Sequence, residues 1–320
     1  MTIRTVRNIR RVTQVVFFAL FFWLILKTNF DVNLTPDESG HIALPYPVSI
    51  ALEFDPLAAI GTLLATGTLY AGLLWSLVIL IPTIFFGRFF CGWICPMGTL
   101  NHWISEIPSE RRSHRGKNKI QSNRYKPYQR IKYYLLLILL AGALVGTLQT
   151  GLLDPLSLLA RSIGTVVLPT LHVGAQGMTD WIKSLGIGPL SALADAAYSV
   201  VGAVLLPFRQ MFFNTIVSLG LFFLIVLVLN RLFTRFWCRG ICPLGALLGF
   251  FSRWTIFGLE KHEESCDNCG LCALHCQGGD NPEVGLKWHQ TECHVCLNCQ
   301  ATCPHGSLRF TFFPKSDPRS

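Results

Sequence analysis

The chain has 320 residues, of which 51% are hydrophobic and only 14% charged, and its mean hydropathy is +0.44. Soluble domains carry about 25% charged residues, and 23 Phe with 8 Trp are too much apolar mass for a solvated, disordered chain. The excess of 27 basic over 18 acidic residues sits beside apolar runs, so it reads as membrane orientation and not as nucleic-acid binding.

In chain order, four segments approach the roughly 20 apolar residues that a membrane span requires. They run from Val12 to Phe30, within Leu57 to Phe86, from Ile131 to Leu153 and from Met211 to Leu229. Pro82 is expected to kink the second, and Lys27 to snorkel at the end of the first. No small-residue cleavage site follows the Arg-rich start, so the first segment is read as an uncleaved anchor. Residues 1–12 hold four Arg, residues 31–56 only acids, and residues 88–132 ten basic residues against Glu106 and Glu110. This alternation predicts both termini and the 88–132 loop in the cytoplasm, with 31–56 and 155–209 outside. Within the last loop, residues 184–208 carry Gly186, Gly188, Pro189 and Pro207, and are expected to lie on the surface or re-enter instead of forming a fifth span.

The chain repeats itself. Gly87-Arg88-Phe89-Phe90-Cys91-Gly92-Trp93-Ile94-Cys95-Pro96-Met97-Gly98 parallels Thr234-Arg235-Phe236-Trp237-Cys238-Arg239-Gly240-Ile241-Cys242-Pro243-Leu244-Gly245. Each copy follows an even-numbered span, so each repeat is two helices and a cysteine motif, with both motifs at one membrane surface.

All 12 cysteines lie within a few residues of another, a spacing that suits a metal centre more than a disulfide framework. The tail from Glu260 contains C-x2-C-x2-C-x3-C twice, at Cys266, Cys269, Cys272, Cys276 and at Cys293, Cys296, Cys299, Cys303-Pro304. In such runs three thiolates hold one [4Fe–4S] cluster and the fourth ligates the other run's cluster. Cys266, Cys269, Cys272 and Cys303 are therefore assigned to one cluster, and Cys293, Cys296, Cys299 and Cys276 to the second. Gln277 follows Cys276 where the second run has proline, a departure that leaves the ligand in place. The two C-x3-C-P pairs offer Cys91, Cys95, Cys238 and Cys242, four thiolates if the two helix ends are neighbours. That is the number a third iron–sulfur centre or a tetrahedral zinc takes; a reactive dithiol is the competing reading.

These motifs, in this order, make the chain resemble the NapH/MauN family of membrane-bound polyferredoxins, and the iron–sulfur membrane halves of NosR and of the CcoG/FixG proteins. The resemblance implies a mainly α-helical membrane protein. Residues 1–255 would form four transmembrane helices in two helix-pair repeats, and residues 256–320 a cytoplasmic ferredoxin-like α+β domain. It implies electron transfer between the quinone or quinol pool and another subunit of a respiratory complex, an iron–sulfur protein or cytochrome, in a bacterial inner membrane. NosR-like chains carry a flavin domain outside the membrane that has no counterpart here, so no flavin is expected. The readings from other classes are metal assembly or redox sensing by the C-x3-C-P thiols, and a docking anchor without quinone chemistry.

Other residues have ordinary roles available. Trp93, Trp103, Trp237 and Trp254 are expected in an aromatic belt. His102 and Glu106, four apart, are expected as exposed loop residues, with a proton relay as the alternative. Asp154-Pro155 is expected to end a helix at the outer surface near Arg161, with acceptance of quinol protons by Asp154 as the alternative. His275, His289, His294 and His305 are expected at solvated loop positions beside the clusters.

Overall fold

A computed structural model of the chain describes residues 3–28, 47–68, 71–106, 116–147, 149–184, 186, 188–205 and 216–314. The helices in chain order begin with α1 (Ile3–Lys27), α2 (Pro47–Glu53), α3 (Pro56–Thr66), α4 (Ala71–Phe86), α5 (Phe89–Trp93) and α6 (Pro96–Glu106). They continue with α7 (Gly116–Asn123), α8 (Ile131–Leu144), α9 (Thr150–Leu153), α10 (Pro155–Arg161), α11 (Leu168–Ser184) and α12 (Gly188–Leu205). Then come α13 (Ile216–Leu232) and α14 (Pro243–Phe251), and the tail adds β1 (Phe257–Lys261), α15 (Leu271–Leu274), α16 (Asn298–Thr302) and β2 (Leu308–Phe312). Most of the expected acidic loop, residues 29–46, lies outside the described residues, as do 107–115 and 206–215.

The expected span within Leu57 to Phe86 is two helices. Gly67 adopts φ +69°, a left-handed conformation that glycine takes without strain, and its N–H closes on the Leu63 carbonyl at 2.9 Å. Helix α4 then packs back against α3. The expected span from Ile131 to Leu153 breaks in the same way. Helix α8 ends at Leu144, Gly146 turns at φ +84°, and Thr147 N–H donates to the Gly142 carbonyl at 3.1 Å. At 1.5 Å per residue, α3 and α8 each fall short of a hydrocarbon core of about 30 Å.

The expected outer loop 155–209 is also corrected. A π-helical turn at Ser162–Val167 joins α10 to α11, and Pro155–Ser184 becomes a continuous apolar helix of 30 residues. Residues 188–205, expected on the surface or re-entrant, form α12, which packs on α11. Among the described residues two helices are long and apolar enough to cross a membrane, Thr5–Lys27 and Pro155–Ser184, while α3, α4 and α13 supply shorter apolar stretches.

The helices that follow the two cysteine motifs pack on elements from the other half of the chain. Helix α6, after the first cysteine motif, packs on α13, and α14, after the second, packs on α4 and α8. Leu57, Met97, Leu156, Trp237 and Leu244 are among the buried residues that join both halves into one core. The tail folds beneath it around an antiparallel β1–β2 pair, with Phe257 opposite Phe312 and Leu259 opposite Phe310.

Candidate iron–sulfur centres

The cysteines fall into three quartets. Cys266, Cys269, Cys272 and Cys303 line one cavity of about 280 Å³. Cys276, Cys293, Cys296 and Cys299 line another. Each cavity collects three cysteines of one run and the fourth of the other, the crossed arrangement that the doubled motif predicts. The two differ in access: the second quartet is buried, whereas Cys269 is exposed and its companions are half-buried.

The third quartet is Cys91, Cys95, Cys238 and Cys242. All four are buried, and electrostatic coupling links Cys91 with Cys238, Cys95 with both, and Cys242 with the other three. The frame C-P-x-G has a local explanation here. Gly98 N–H points at Cys95 Sγ at 3.4 Å and Gly245 N–H at Cys242 Sγ at 3.2 Å, equivalent contacts in the two repeats. A Cβ on Gly98 would lie 2.6 Å from the Cys91 carbonyl oxygen, and one on Gly245 would lie 2.8 Å from Arg88 Nη2. Across the repeats, Asn101 Nδ2 reaches Cys238 Sγ at 3.4 Å. Asn230 Nδ2 donates to Asn101 Oδ1 at 2.7 Å, and Trp237 N–H to Asn230 Oδ1 at 3.1 Å.

Burial pushes the Cys91, Cys95 and Cys242 thiols up. A reactive dithiol needs an accessible site, whereas these four cysteines are buried. Two arginines at equivalent repeat positions supply the charge that four thiolates require. Arg88 acts on Cys91, by hydrogen bonding as well as by charge, and on Cys242, and Arg235 acts on Cys91, while Nε and Nη2 of Arg235 have no acceptor. Buried guanidinium nitrogens without an acceptor fit an anionic group held between the thiols. Among the described residues, no three His, Cys, Asp or Glu side chains converge on the position of a single metal ion. Cys266, Cys269, Cys272 and Cys303 surround space instead, which suits a four-iron cluster.

The tail is riveted to the helices by buried cations that charge counting assigned to membrane orientation. Arg10 donates to the Cys296 carbonyl at 3.0 Å and to Asn298 Oδ1 at 2.7 Å. Arg239 donates to the carbonyls of Gln277 and Cys276, each at 2.9 Å. Arg235 Nη1 lies 3.2 Å from the Cys91 carbonyl oxygen and 3.3 Å from His294 Nδ1, bridging the third quartet and the second. Glu292 gathers Arg88 at 3.3 Å, Tyr133 at 3.0 Å and Lys132 on one buried carboxylate. Both C-x3-C-P motifs therefore abut the same face of the ferredoxin-like tail.

Several expectations change in position. His102 is buried, not an exposed loop residue; it lies on α6 against the Gln277 amide and 3.4 Å from Glu106. Gln277, the departure from proline, thus docks α6 while its carbonyl receives Arg239. Trp237 is wholly buried, so it is core and not belt, whereas Trp254 is 58% exposed. Trp93 Nε1 donates to the Val295 carbonyl at 2.9 Å. His294 is buried, His289 stacks on Tyr125 at 3.9 Å, and His275 and His305 are exposed as expected. Asp154 ends α9 as expected, and it is wholly buried, with its charge acting on Asp55. The signal for that pair was available as a second repeat, Asp55-Pro56-Leu57 and Asp154-Pro155-Leu156.

Comparison with known proteins agrees with the cysteine chemistry. Residues 68–115 and 215–260, which contain the two C-x3-C-P motifs, each match the family model described as a 4Fe-4S binding domain. YccM of Escherichia coli, named as an electron transport protein, is 24% identical over 306 residues, 93% of this chain and 73% of its own. MauN of Methylorubrum extorquens, a methylamine utilization ferredoxin-type protein, is 26% identical over 84% of this chain and 74% of its own. The regulatory protein NosR of Stutzerimonas stutzeri is 26% identical over 77% of this chain, which spans only 29% of NosR. No solved structure matches the chain.

Proposed function

Because the chain is a ferredoxin-like protein of the MauN and NosR type with an iron–sulfur electron-transfer role, we propose that it carries electrons between membrane quinol and a respiratory redox partner. Three iron–sulfur centres in series would form the path. Cys91, Cys95, Cys238 and Cys242 would hold the first, Cys276, Cys293, Cys296 and Cys299 the second, and Cys266, Cys269, Cys272 and Cys303 the third. When bound, each cluster supplies one-electron redox chemistry; the protein positions it and tunes its potential.

One observation carries the reading: the four cysteines of the C-x3-C-P motifs are buried, Arg235 links them to the buried second quartet, and the last quartet includes the exposed Cys269. Arg88 and Arg235 compensate the thiolates of the first centre, and N–H donors from Gly98, Gly245 and Asn101 reach its sulfurs. Arg235 and His294 fill the step to the second centre. The exposed Cys269 side of the last centre is where a soluble or subunit partner would exchange electrons.

The quinone part of the proposal is supported by an apolar cavity of about 360 Å³, within the size range of small-molecule sites. Phe17, Leu20 and Leu24 of α1, Phe54, Val78 of α4 and Phe90 line it, together with Ile94 and Pro96, which flank Cys95. Leu20 and Val78 are exposed on the outer surface of the helices, so the cavity opens toward lipid. The full proposal has both termini and the ferredoxin-like tail on the cytoplasmic side of a bacterial inner membrane, with the helices of residues 1–255 as the anchor.

The test is an anaerobic iron determination with EPR. Fully loaded protein should hold about 12 irons, from three four-iron clusters, and the Cys91→Ser/Cys242→Ser double variant about 8 with an unchanged ferredoxin spectrum. Eight irons in fully loaded wild-type protein would reject the first centre. Reduction of the clusters by added quinol separates electron transfer from an anchor role, and failure of quinol to reduce intact clusters would reject the quinone link.

A further inference from the structure

Asp55 and Asp154 open the same tripeptide in the two halves of the chain and occupy the same position, the N-cap of the helix that follows. Asp55 Oδ1 accepts from Leu57 N–H at 2.8 Å, and Asp154 Oδ2 from Ser157 N–H at 2.7 Å. Both residues are wholly buried. The remaining oxygens, Asp55 Oδ2 and Asp154 Oδ1, have no donor of their own, and Asp154 is the charge that acts most strongly on the Asp55 carboxyl. The halves are interlocked at this point: α9 packs on α3, and α10 on α2.

Two buried carboxylates in contact cannot both be charged without a cation between them. If one is protonated, it donates to the other, and both orphan oxygens are satisfied. The groups that face the pair electrostatically are Cys95 and Arg161, each acted on by Asp154. Helices α3 and α9 carry no ionisable side chain, and Glu53 on α2 is exposed. The Arg161 guanidinium is itself engaged with the carbonyls of Ser157 and Gly151.

We propose that Asp55 and Asp154 form a proton-binding site holding one shared proton at rest, and that a second proton binds when negative charge is added at the four-cysteine centre. The resting site stands on the burial and the orphaned oxygens of the pair; the charge linkage rests on the reading of Cys91, Cys95, Cys238 and Cys242 as a redox centre. An added electron puts negative charge opposite Asp154 through Cys95, in an interior where charges interact strongly, and so raises the affinity of the remaining carboxylate for a proton. Phe54, next to Asp55, and Leu156, two residues after Asp154, both line the apolar cavity, so the pair borders the space assigned to quinol.

The site is tested by infrared spectroscopy of the purified full-length protein in H₂O and D₂O at neutral pH. Wild type should show a protonated-carboxyl C=O band that shifts in D₂O. The band should be lost in Asp55→Asn and in Asp154→Asn, each of which keeps a side-chain oxygen for the helix cap. Absence of the band in wild type, or its survival in both variants, overturns the proton site; the wild-type arm decides even if a variant fails to fold. The linkage is tested by potentiometric EPR of the four-cysteine centre. Its midpoint should fall as pH rises, by up to about 59 mV for each tenfold change in proton concentration, and should be flat in Asp154→Asn. A pH-independent midpoint, or no signal from that centre, overturns the linkage, and the infrared result still stands or falls separately.

Discussion

A Cβ on Gly92 would lie 2.4 Å from the carbonyl oxygen of His294. Gly92 stands between Cys91 and Cys95, and His294 between Cys293 and Cys296, so this backbone contact joins the loops of two proposed centres. Gln14 from α1 closes the other side, its Nε2 donating to the Gly92 carbonyl at 2.8 Å. No side chain fits there, and the glycine is what allows the first cysteine motif to approach the tail.

Gly92→Ala should therefore push the tail away from the helices. Overpacking of this kind costs about 1–3 kcal/mol, read as a lowered denaturation midpoint and as slower electron exchange between the first two centres. Gly151→Ala is the control: nothing lies within 4 Å of its added Cβ, so stability and exchange should be unchanged or slightly improved.

The crossed ligand sets make a second prediction. Cys276→Ser should damage the cluster held by Cys293, Cys296 and Cys299, and Cys303→Ser the one held by Cys266, Cys269 and Cys272. EPR of the reduced single variants distinguishes them, since the two sites differ in solvent exposure. Loss of the near cluster in each variant would reject the crossed assignment.

Glu292 holds Arg88, Lys132 and Tyr133 on one buried carboxylate. Glu292→Gln leaves two buried cations without their counter-charge, at a cost of about 3–5 kcal/mol. The tail should separate from the helices before either part unfolds, detected as new protease cleavage within 255–265 at temperatures where wild type is resistant. Glu283→Gln, which loses a half-exposed pair with Arg124, should change stability by no more than about 1 kcal/mol.

Burial, reinforced by Arg235, Arg10 and Arg11, pushes His102 down to about 2. An unfolded histidine titrates near 6.5. Between these values the unfolded chain binds a proton that the folded chain does not, so stability is complete above about 6.5 and declines as pH falls. At pH 5 the deficit is about 2 kcal/mol. His102→Gln should flatten that decline in denaturant titrations at pH 7 and pH 5. A histidine held neutral in this way is a poor proton relay, and Glu106→Gln should leave the pH profile of electron transfer unchanged.

Asn101 Nδ2 and the N–H groups of Gly98 and Gly245 reach the sulfurs of the first centre, and donors to sulfur stabilise the more negative, reduced state. Asn101→Leu should lower the midpoint potential of that centre in a potentiometric titration and leave both ferredoxin potentials in place.

Much of the chemistry was legible along the chain because cluster ligation imposes short, rigid spacings. C-x2-C-x2-C-x3-C sets three thiolates of one run close together along the chain, while the crossing of the fourth needs the tertiary fold; the doubled C-x3-C-P-x-G frame marked the third quartet. Hydropathy was less informative, because it registers apolar content and not continuity. Leu57 to Phe86 carries no charge and Ile131 to Leu153 only Lys132, yet Gly67 and Gly146 take left-handed turns that cut each into short helices, and Pro155–Ser184 runs continuously through a segment expected to be a loop. Charge counting likewise registers sign and not burial. Arg10, Arg88, Arg235 and Arg239 look like positive-inside markers, but tertiary structure places them between helices and tail, where carbonyls and thiols compensate them. The Asp55–Asp154 pair belongs to the same category. Its two residues are 99 positions apart, and only the packing of the two halves against each other brings their carboxyl groups together out of water, where they must share a proton.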